Sequence, residues 1–206
     1  LRQMAFFADG IAHASLAGIA LGLILAWPPL PVALVLSVIF ALIIWLIEKK
    51  GGLSSDTGIG ILFTSGMAFG VLLMSFKSGY QPELISFLFG NILAVSQSDL
   101  IFIALISLIN FLFIIFYFRP LTIFSLNEEL ARTEGIKVDF LQPFFYVILA
   151  LSVVLGIKIL GVILVSAFLI LPGATAQVLS ASFHNFLLQA LLWSELMTLG
   201  GIFLSF

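Results

Sequence analysis

The chain has 206 residues, of which 62% are hydrophobic and only 9% are charged. Soluble globular domains carry roughly a quarter charged residues, so this composition indicates an integral membrane protein. The chain contains no cysteine and has a formal net charge of -2. These two facts exclude disulfides and thiolate metal sites, and they argue against nucleic acid as a partner, because phosphate binding needs a basic surface.

Long apolar segments follow one another along the chain and predict an all-α polytopic membrane protein. A helix needs about 20 mostly apolar residues to cross a bilayer. The shorter run at 84–95 is bounded by Pro82 and by polar residues, and we expect it to be interfacial or re-entrant. Lys158 separates two segments that are predicted to form a tight helical pair. About seven spans are expected, at 6–26, 31–47, 58–76, 100–118, 143–157, 160–179 and 186–206.

The first span carries Asp9 and His13 within "FFADGIAHASLAG". Residues four apart share one face of a helix. A charge at membrane depth costs at least ~2.5 kcal/mol, so this face should meet protein or a water-filled path. The spacing leaves three interpretations open: a half-site for a divalent metal, a proton relay, or a hydrogen-bonded structural pair. Carboxylate oxygen and imidazole nitrogen suit zinc or manganese, and a second copy across a two-fold axis would supply the missing ligands.

The positions of the basic residues predict the orientation of the spans. If the N-terminal end is placed inside and the spans alternate, six of the eight Lys and Arg residues fall on the cytoplasmic side, as the positive-inside rule expects. Only Lys77 and Lys158 fall outside. The cytoplasmic residues are Arg2, Lys49, Lys50, Arg119, Arg132 and Lys137.

The one long polar loop reads "FSLNEELARTEGIKVD" and predicts a short cytoplasmic helix. Ser125 or Asn127 can cap its N-terminus, and the acids Glu128 and Glu129 suit the positive end of the helix dipole. Gly135 can take the left-handed conformation that ends a helix. The helix is interpreted either as a solvated connector or as a docking element for a soluble partner.

Several smaller signals complete the sequence pattern. Gly-x-x-x-Gly pairs at positions 18 and 22 and at 66 and 70 predict close helix packing. Pro172 marks either a helix end or a broken helix that faces a cavity. Glu195 is expected to be a buried acid, His184 to lie in an exposed turn, and Asp99 to cap the start of a span.

Four stretches, in this order, resemble the membrane permease of bacterial metal-ion ABC importers, the class that handles zinc, manganese or iron. They are "RQMAFFADGIAHASLAGIALG", "FLFGNILAVSQSDL", "NEELARTEGI" and "KILGVILVSAFLILPGATA". The second and third look closest to the zinc-uptake branch. The resemblance spans nearly the whole chain and implies a single transmembrane permease domain over 1–206. That domain is expected to be truncated at both ends, because the N-terminal and final helices of the family are absent.

The resemblance also implies a function and a set of partners. It implies ATP-driven import of a divalent metal, with zinc as the expected ion, across the bacterial inner membrane. Asp9 and His13 fall on the metal-pathway motif of the family. The expected partners are a second permease copy in a homodimer, a dimer of cytoplasmic ATP-binding subunits, and an extracytoplasmic metal-binding protein. The metal is substrate, and no permanently bound cofactor is expected.

The resemblance further identifies 125–137 as the segment that holds the coupling helix, which docks on the ATPase in this family. Family members often carry Asp at its first position, where this chain has Asn127. The chain has no Gly-x-x-x-x-Gly-Lys-Ser/Thr loop, so ATP hydrolysis is expected on a separate subunit and the chain is not expected to be an enzyme. The residues that match the coupling helix are Asn127, Glu128, Glu129, Ala131 and Gly135.

Two rival functions remain open from the sequence. In a proton-coupled secondary metal transporter, Asp9, His13 and Glu195 would form the proton relay. In a non-transporting membrane scaffold, Asp9 and His13 would be structural. The sequence does not choose among zinc, manganese and iron.

Overall fold

The computed structural model describes residues 4–51, 55–76, 82–91 and 95–204, and these residues form helices without any strand. The predicted all-α fold is confirmed. Arg2 and Lys77, on which part of the predicted orientation rests, lie outside the described residues. The helices are α1 (Met4–Ile24), α2 (Pro29–Lys49), α3 (Ser55–Ser75), α4 (Pro82–Phe89), α5 (Gln97–Phe116), α6 (Phe118–Leu126), α7 (Glu128–Thr133), α8 (Val138–Leu179) and α9 (Phe183–Leu204).

Within the described ranges, five helices are long and apolar enough to cross a membrane, namely α1, α2, α3, α5 and α8. The predicted spans at 143–157 and 160–179 both fall in α8, which has 42 residues. The seventh predicted span falls on α9, which has 22 residues. Helix α4 has eight residues, too few to cross a bilayer, in keeping with the short non-spanning segment predicted there.

Helix α8 folds back on itself at Gly161, whose backbone has a positive φ of 81°. A Cβ added at Gly156 would lie 2.5 Å from Cγ2 of Val165. In a straight helix these two residues would be about 13.5 Å apart, so the two halves of α8 must pack against each other. We call residues 138–160 the first limb of α8 and residues 162–179 the second limb. The predicted helical pair is present, and its boundary lies three residues after Lys158.

Two alternatives were predicted at Pro172, a helix end or a broken helix, and both were wrong. The second limb continues through buried Pro172 to Leu179, and Gly161 is the non-helical residue inside α8. A proline removes one backbone hydrogen bond, which neighbouring groups in a membrane helix can compensate. A glycine at positive φ changes the direction of the chain, as Gly161 does here. The sequence pattern predicted the break at Pro172 instead of Gly161.

The break in α8 is packed against the end of α4 through a second glycine. Gly90 also has a positive φ, of 78°, and a Cβ placed on it would lie 2.5 Å from the carbonyl carbon of Leu160. At Gly161 an added Cβ would lie 2.5 Å from the carbonyl carbon of Phe89. Both positions therefore need glycine for two reasons, backbone conformation and backbone contact.

Asp99 links the same region to α5. Ser96 and Asp99 form a reciprocal cap, each accepting from the backbone N–H of the other at 3.1 Å, which confirms the predicted capping role. The Asp99 carboxylate also lies 3.3 Å from Nζ of Lys158. Nζ of Lys158 lies 5.1 Å from the centre of the Phe87 ring on α4. The start of α5, the end of the first limb and α4 therefore meet at one point.

Helix α1 lies at the centre of the bundle, with α2, α3 and α8 packed around it. A Cβ added to Gly18 would lie 2.6 Å from Cα of Ala33 on α2. On the other side of α1, a Cβ added to Gly66 of α3 would lie 2.9 Å from Cα of Ala14. The close packing predicted from the two Gly-x-x-x-Gly pairs is confirmed, because backbones approach this closely only where side chains are absent.

Candidate functional site

Asp9 and His13 lie near the N-terminal end of α1, one turn apart on the same face. Nδ1 of His13 lies 3.0 Å from the backbone carbonyl oxygen of Asp9 and 3.5 Å from its Oδ1. A carbonyl oxygen only accepts, so Nδ1 carries a proton, and in the neutral imidazole Nε2 keeps its lone pair for a ligand. Histidines that bind metals have this arrangement, with one ring nitrogen donating to a carbonyl or carboxylate and the other facing the ion.

The pair is accessible from outside the packed core. The side chain of His13 is 26% exposed and that of Asp9 is 37% exposed. Their neighbours Ile11 and Ala12 on α1 are fully buried. A small ion can therefore reach this partly exposed acid and imidazole. It could not reach a pair that was fully buried in the core.

Asp9 lines a cleft of about 400 Å³ between α1 and α3, and His13 contacts Phe63, another residue of that lining. The edge of the His13 ring faces the Phe63 ring, with the ring centres 4.8 Å apart. A Cβ placed on Gly60 would meet no atom within 4 Å, so the cleft is open on the α3 side. The cleft is lined by Phe6, Asp9, Gly10, Ile59, Gly60 and Phe63. Asp9 supplies the charged group of this largely apolar lining.

Ser166, on the second limb of α8, is a third residue at the pair, and the sequence analysis missed it. Its Oγ donates a hydrogen bond of 2.6 Å to Oδ1 of Asp9, across 157 residues of sequence. Serine is common in membrane helices and usually bonds to its own backbone, so its type gives no signal. Only the fold, with α8 turned back at Gly161, brings it to Asp9.

One copy of the chain supplies only part of a metal site. The described residues include no group of three or more His, Cys, Asp or Glu placed to hold a metal ion. Glu195, predicted to be a buried acid, is exposed on α9, so that prediction was wrong. The predicted exposure of His184 is confirmed. The prediction was wrong because an apolar stretch around Glu195 does not indicate which face of α9 is buried.

The short helix predicted in the polar loop is present as α7. Oδ1 of Asn127 accepts from the backbone N–H groups of Glu129 and Leu130, at 2.9 and 3.2 Å. Asn127 is therefore the cap, while Ser125 lies inside α6. Gly135 has a φ of 79°, in the left-handed region predicted for the residue that ends the helix. Local capping chemistry specifies this element at both ends.

Helix α7 is fixed to its neighbours by packing and by charge. Ala131 is fully buried against Phe124 of α6 and Val138 of α8. The guanidinium of Arg132 contacts Glu128 at 3.1 Å and Asp139 at 3.2 Å. The hydrogen bonds that Arg132 donates to these two carboxylates, to Asp139 first and then to Glu128, raise the pKa of Arg132 above its ordinary value. Arg132 thus connects α7 to the first turn of α8.

With the geometry of the pair and of α7 established, comparison with known proteins identifies the family. All of the chain, residues 1–206, matches the model of the ABC 3 transport family. The chain belongs to the ABC 3 transport family. The predicted resemblance to metal-importer permeases is confirmed at this level, and the chain is a membrane permease of this family.

Relatives of this ABC 3 permease have names that refer to different metals. It is 31% identical over 204 residues to the high-affinity zinc uptake system membrane protein ZnuB of Haemophilus influenzae, covering 99% of this chain and 78% of that protein. It is 34% identical over 205 residues to the manganese transport system membrane protein MntC of Halalkalibacterium halodurans, covering 100% of this chain and 70% of that protein. The names of the relatives therefore do not select between zinc and manganese.

A solved structure shares the fold of the permease. PsaBC from Streptococcus pneumoniae, in complex with Fab, matches with a TM-score of 0.80 and 33% sequence identity, covering 98% of this chain and 73% of that chain. The arrangement of helices that places Asp9 beside α3 and the second limb of α8 therefore recurs in a solved structure.

Proposed function

We propose that this permease is the membrane subunit of an ATP-driven importer of divalent metal ions, with zinc as the expected ion. The observation that carries the proposal is the Asp9–His13 pair in a member of the ABC 3 transport family, with both side chains partly exposed and Asp9 lining an open cleft. Imidazole nitrogen with carboxylate oxygen is a ligand set for zinc and is also accepted by manganese. The ion is substrate, and it is held only in passing.

In this proposal each copy of the permease contributes half of the ion site. The contacts to the Asp9 carboxylate described above are made to Oδ1, so Oδ2 is the Asp9 atom that would bind the ion. Nδ1 of His13 faces Asp9, so its Nε2 points away from that residue and would join Oδ2 on one ion only after the ring turns. A second copy related by a two-fold axis would bring two more ligands and complete a four-coordinate shell. The cleft is open on the α3 side, where the second copy would approach.

The proposal assigns α7 to docking on an ATP-binding subunit. Glu129 and Leu130 are exposed on its outer face, while Ala131 anchors its inner face. Buried packing and the Arg132 contacts would carry a displacement of α7 into the first limb of α8. There, the Tyr146 ring lies 4.8 Å from the Phe7 ring on α1, two residues before Asp9. Movement driven by ATP could thus reach the ion-binding helix.

The proposal also includes a delivering protein and a membrane location, as an importer of this class requires. An extracytoplasmic metal-binding protein would deliver the ion, and the permease would sit as a multi-pass protein in the bacterial inner membrane. The long apolar helices and the names of the relatives support a membrane location. This proposal differs from a proton-coupled transporter in its energy source, which is ATP hydrolysis rather than a proton gradient.

The test is uptake by the complete importer in liposomes, with its ATP-binding subunits and its metal-binding protein. We expect zinc uptake that requires ATP and that does not appear with a pH gradient alone. Manganese measured in the same liposomes identifies the preferred ion. Uptake driven by the pH gradient without ATP would favour the proton-coupled alternative, and no uptake of any divalent metal would favour the scaffold.

A further inference from the structure

Ser166 uses its hydroxyl differently from other serines of the bundle. Oγ of Ser15 and Oγ of Ser37 each donate to a backbone carbonyl three residues earlier in their own helix, at 2.7 and 2.8 Å. Ser194 on α9 does the same at 2.8 Å. These bonds satisfy the hydroxyl locally and require no partner helix. Ser166 instead donates to the Asp9 carboxylate on another helix, at 2.6 Å.

The position of Ser166 is fixed by its buried neighbours. Val162 and Val165 lie four and one residues before it and are 1% and 3% exposed, within the core cluster that surrounds α1. Val162 and Ser166 share a face of the second limb, because residues four apart are stacked in a helix. The reversal at Gly161 directs that face toward α1. The hydroxyl is thus held at Asp9 by the packing of the fold.

We propose that Ser166 is a positioning residue for the transported metal ion, an inference that rests on the proposed function of the Asp9–His13 pair. The hydroxyl donates to Oδ1, fixes the rotation of the carboxylate, and leaves Oδ2 to bind the ion. Carboxylates that bind metals are commonly held by hydrogen bonds of this kind, and the loss of such a partner typically lowers metal affinity about 10- to 100-fold. Ser166 acts on the ion through Asp9.

The experiment measures the Kd for zinc of the purified complex of permease and ATP-binding subunits, with values expressed per assembled complex. Ser166→Thr and Ser166→Val form the matched pair, since their side chains are nearly equal in volume and differ in the hydroxyl. Ser166→Ala is the simple deletion. Ser194→Ala is the control, because it removes a hydroxyl that bonds only to its own helix.

We expect Ser166→Val and Ser166→Ala to raise the Kd for zinc about tenfold, and Ser166→Thr to stay within about twofold of the wild type. The control should not change it. Equal zinc affinity for the Thr and Val variants would overturn the inference, as would a loss of assembly in Ser166→Ala with unchanged affinity per complex.

The proposed function fails in a different way. If Asp9→Ala leaves the Kd for zinc unchanged, the pair itself is not the ion site. If Asp9→Ala abolishes zinc binding while all Ser166 variants bind as the wild type does, the site stands and only the role of Ser166 is overturned.

Discussion

Gly18 illustrates, at the scale of single residues, how closely the helices approach α1. A Cβ there would lie 2.6 Å from the backbone of Ala33, and backbone cannot move aside as a flexible side chain can. Overpacking of this kind typically costs about 1–3 kcal/mol. Gly173, on the second limb of α8, has no atom within 4 Å of the same added carbon. The two glycines form a matched pair.

Gly18→Ala should therefore lower the thermal stability of the purified permease, while Gly173→Ala should leave it unchanged or raise it slightly, because alanine favours a helix over glycine. Thermal unfolding in detergent, followed by circular dichroism, measures both. Equal midpoints for Gly18→Ala and the wild type would show that α1 and α2 can separate without loss.

Residue patterns in the sequence predicted the parts of the site that are local. Asp9 and His13 are four residues apart, so helical periodicity alone places them together. The capping roles of Asn127 and Gly135 could be predicted because caps act within a few residues of their own helix. Ser166 was not readable, because its partner is 157 residues away and a serine in an apolar helix is unremarkable in type.

At the scale of helices, the connection between α7 and α8 is the element on which the proposed coupling would depend. Arg132 holds Glu128 on α7 and Asp139 on α8 together, and its raised pKa means that it stays charged. The same contact lowers the pKa of Asp139, so the pair is lost in acid only as the pH falls through that lowered pKa, and in base only above the raised pKa of Arg132. The ion pair therefore persists across the physiological range.

Arg132→Ala should reduce the metal ions imported per ATP hydrolysed, because α7 could then move without displacing the first turn of α8. Arg119→Ala, which removes an exposed arginine from α6, is the control. The ratio of zinc uptake to phosphate release, measured in the same liposomes, reports coupling. A ratio that matches the wild type for Arg132→Ala would contradict this role of the connection.

Helix existence was predictable from apolar length, and the place where α8 turns was not. Both Pro172 and Gly161 lie in the same apolar stretch, and proline is the stronger local signal for a break. The turn occurs at Gly161 because Gly90 meets it backbone to backbone, which is a tertiary contact. The sequence of α8 alone does not reveal its contact with Gly90, so it could not show that the break lies at Gly161 and not at Pro172.

At the scale of the whole molecule, the fold brings three distant segments together around Asp9, the proposed ion ligand. The core helix α1 carries the proposed ligands, α3 leaves the cleft open beside Asp9, and the reversal of α8 returns Ser166 to Asp9. Helix α7 contacts the same α8 at its other end. One long broken helix thus links the proposed docking element to the proposed ion site.

The most direct measurement is ATP-driven zinc uptake by the complete importer, comparing His13→Ala with His184→Ala. His184 is exposed on α9, whereas His13 contacts Asp9, so His184→Ala controls for the loss of an imidazole as such. We predict that His13→Ala lowers zinc uptake at least about tenfold, in line with the loss of a metal ligand, while His184→Ala transports as the wild type does. Equal uptake by the two variants, at equal amounts of assembled complex, would contradict the assignment of Asp9 and His13 to the ion path.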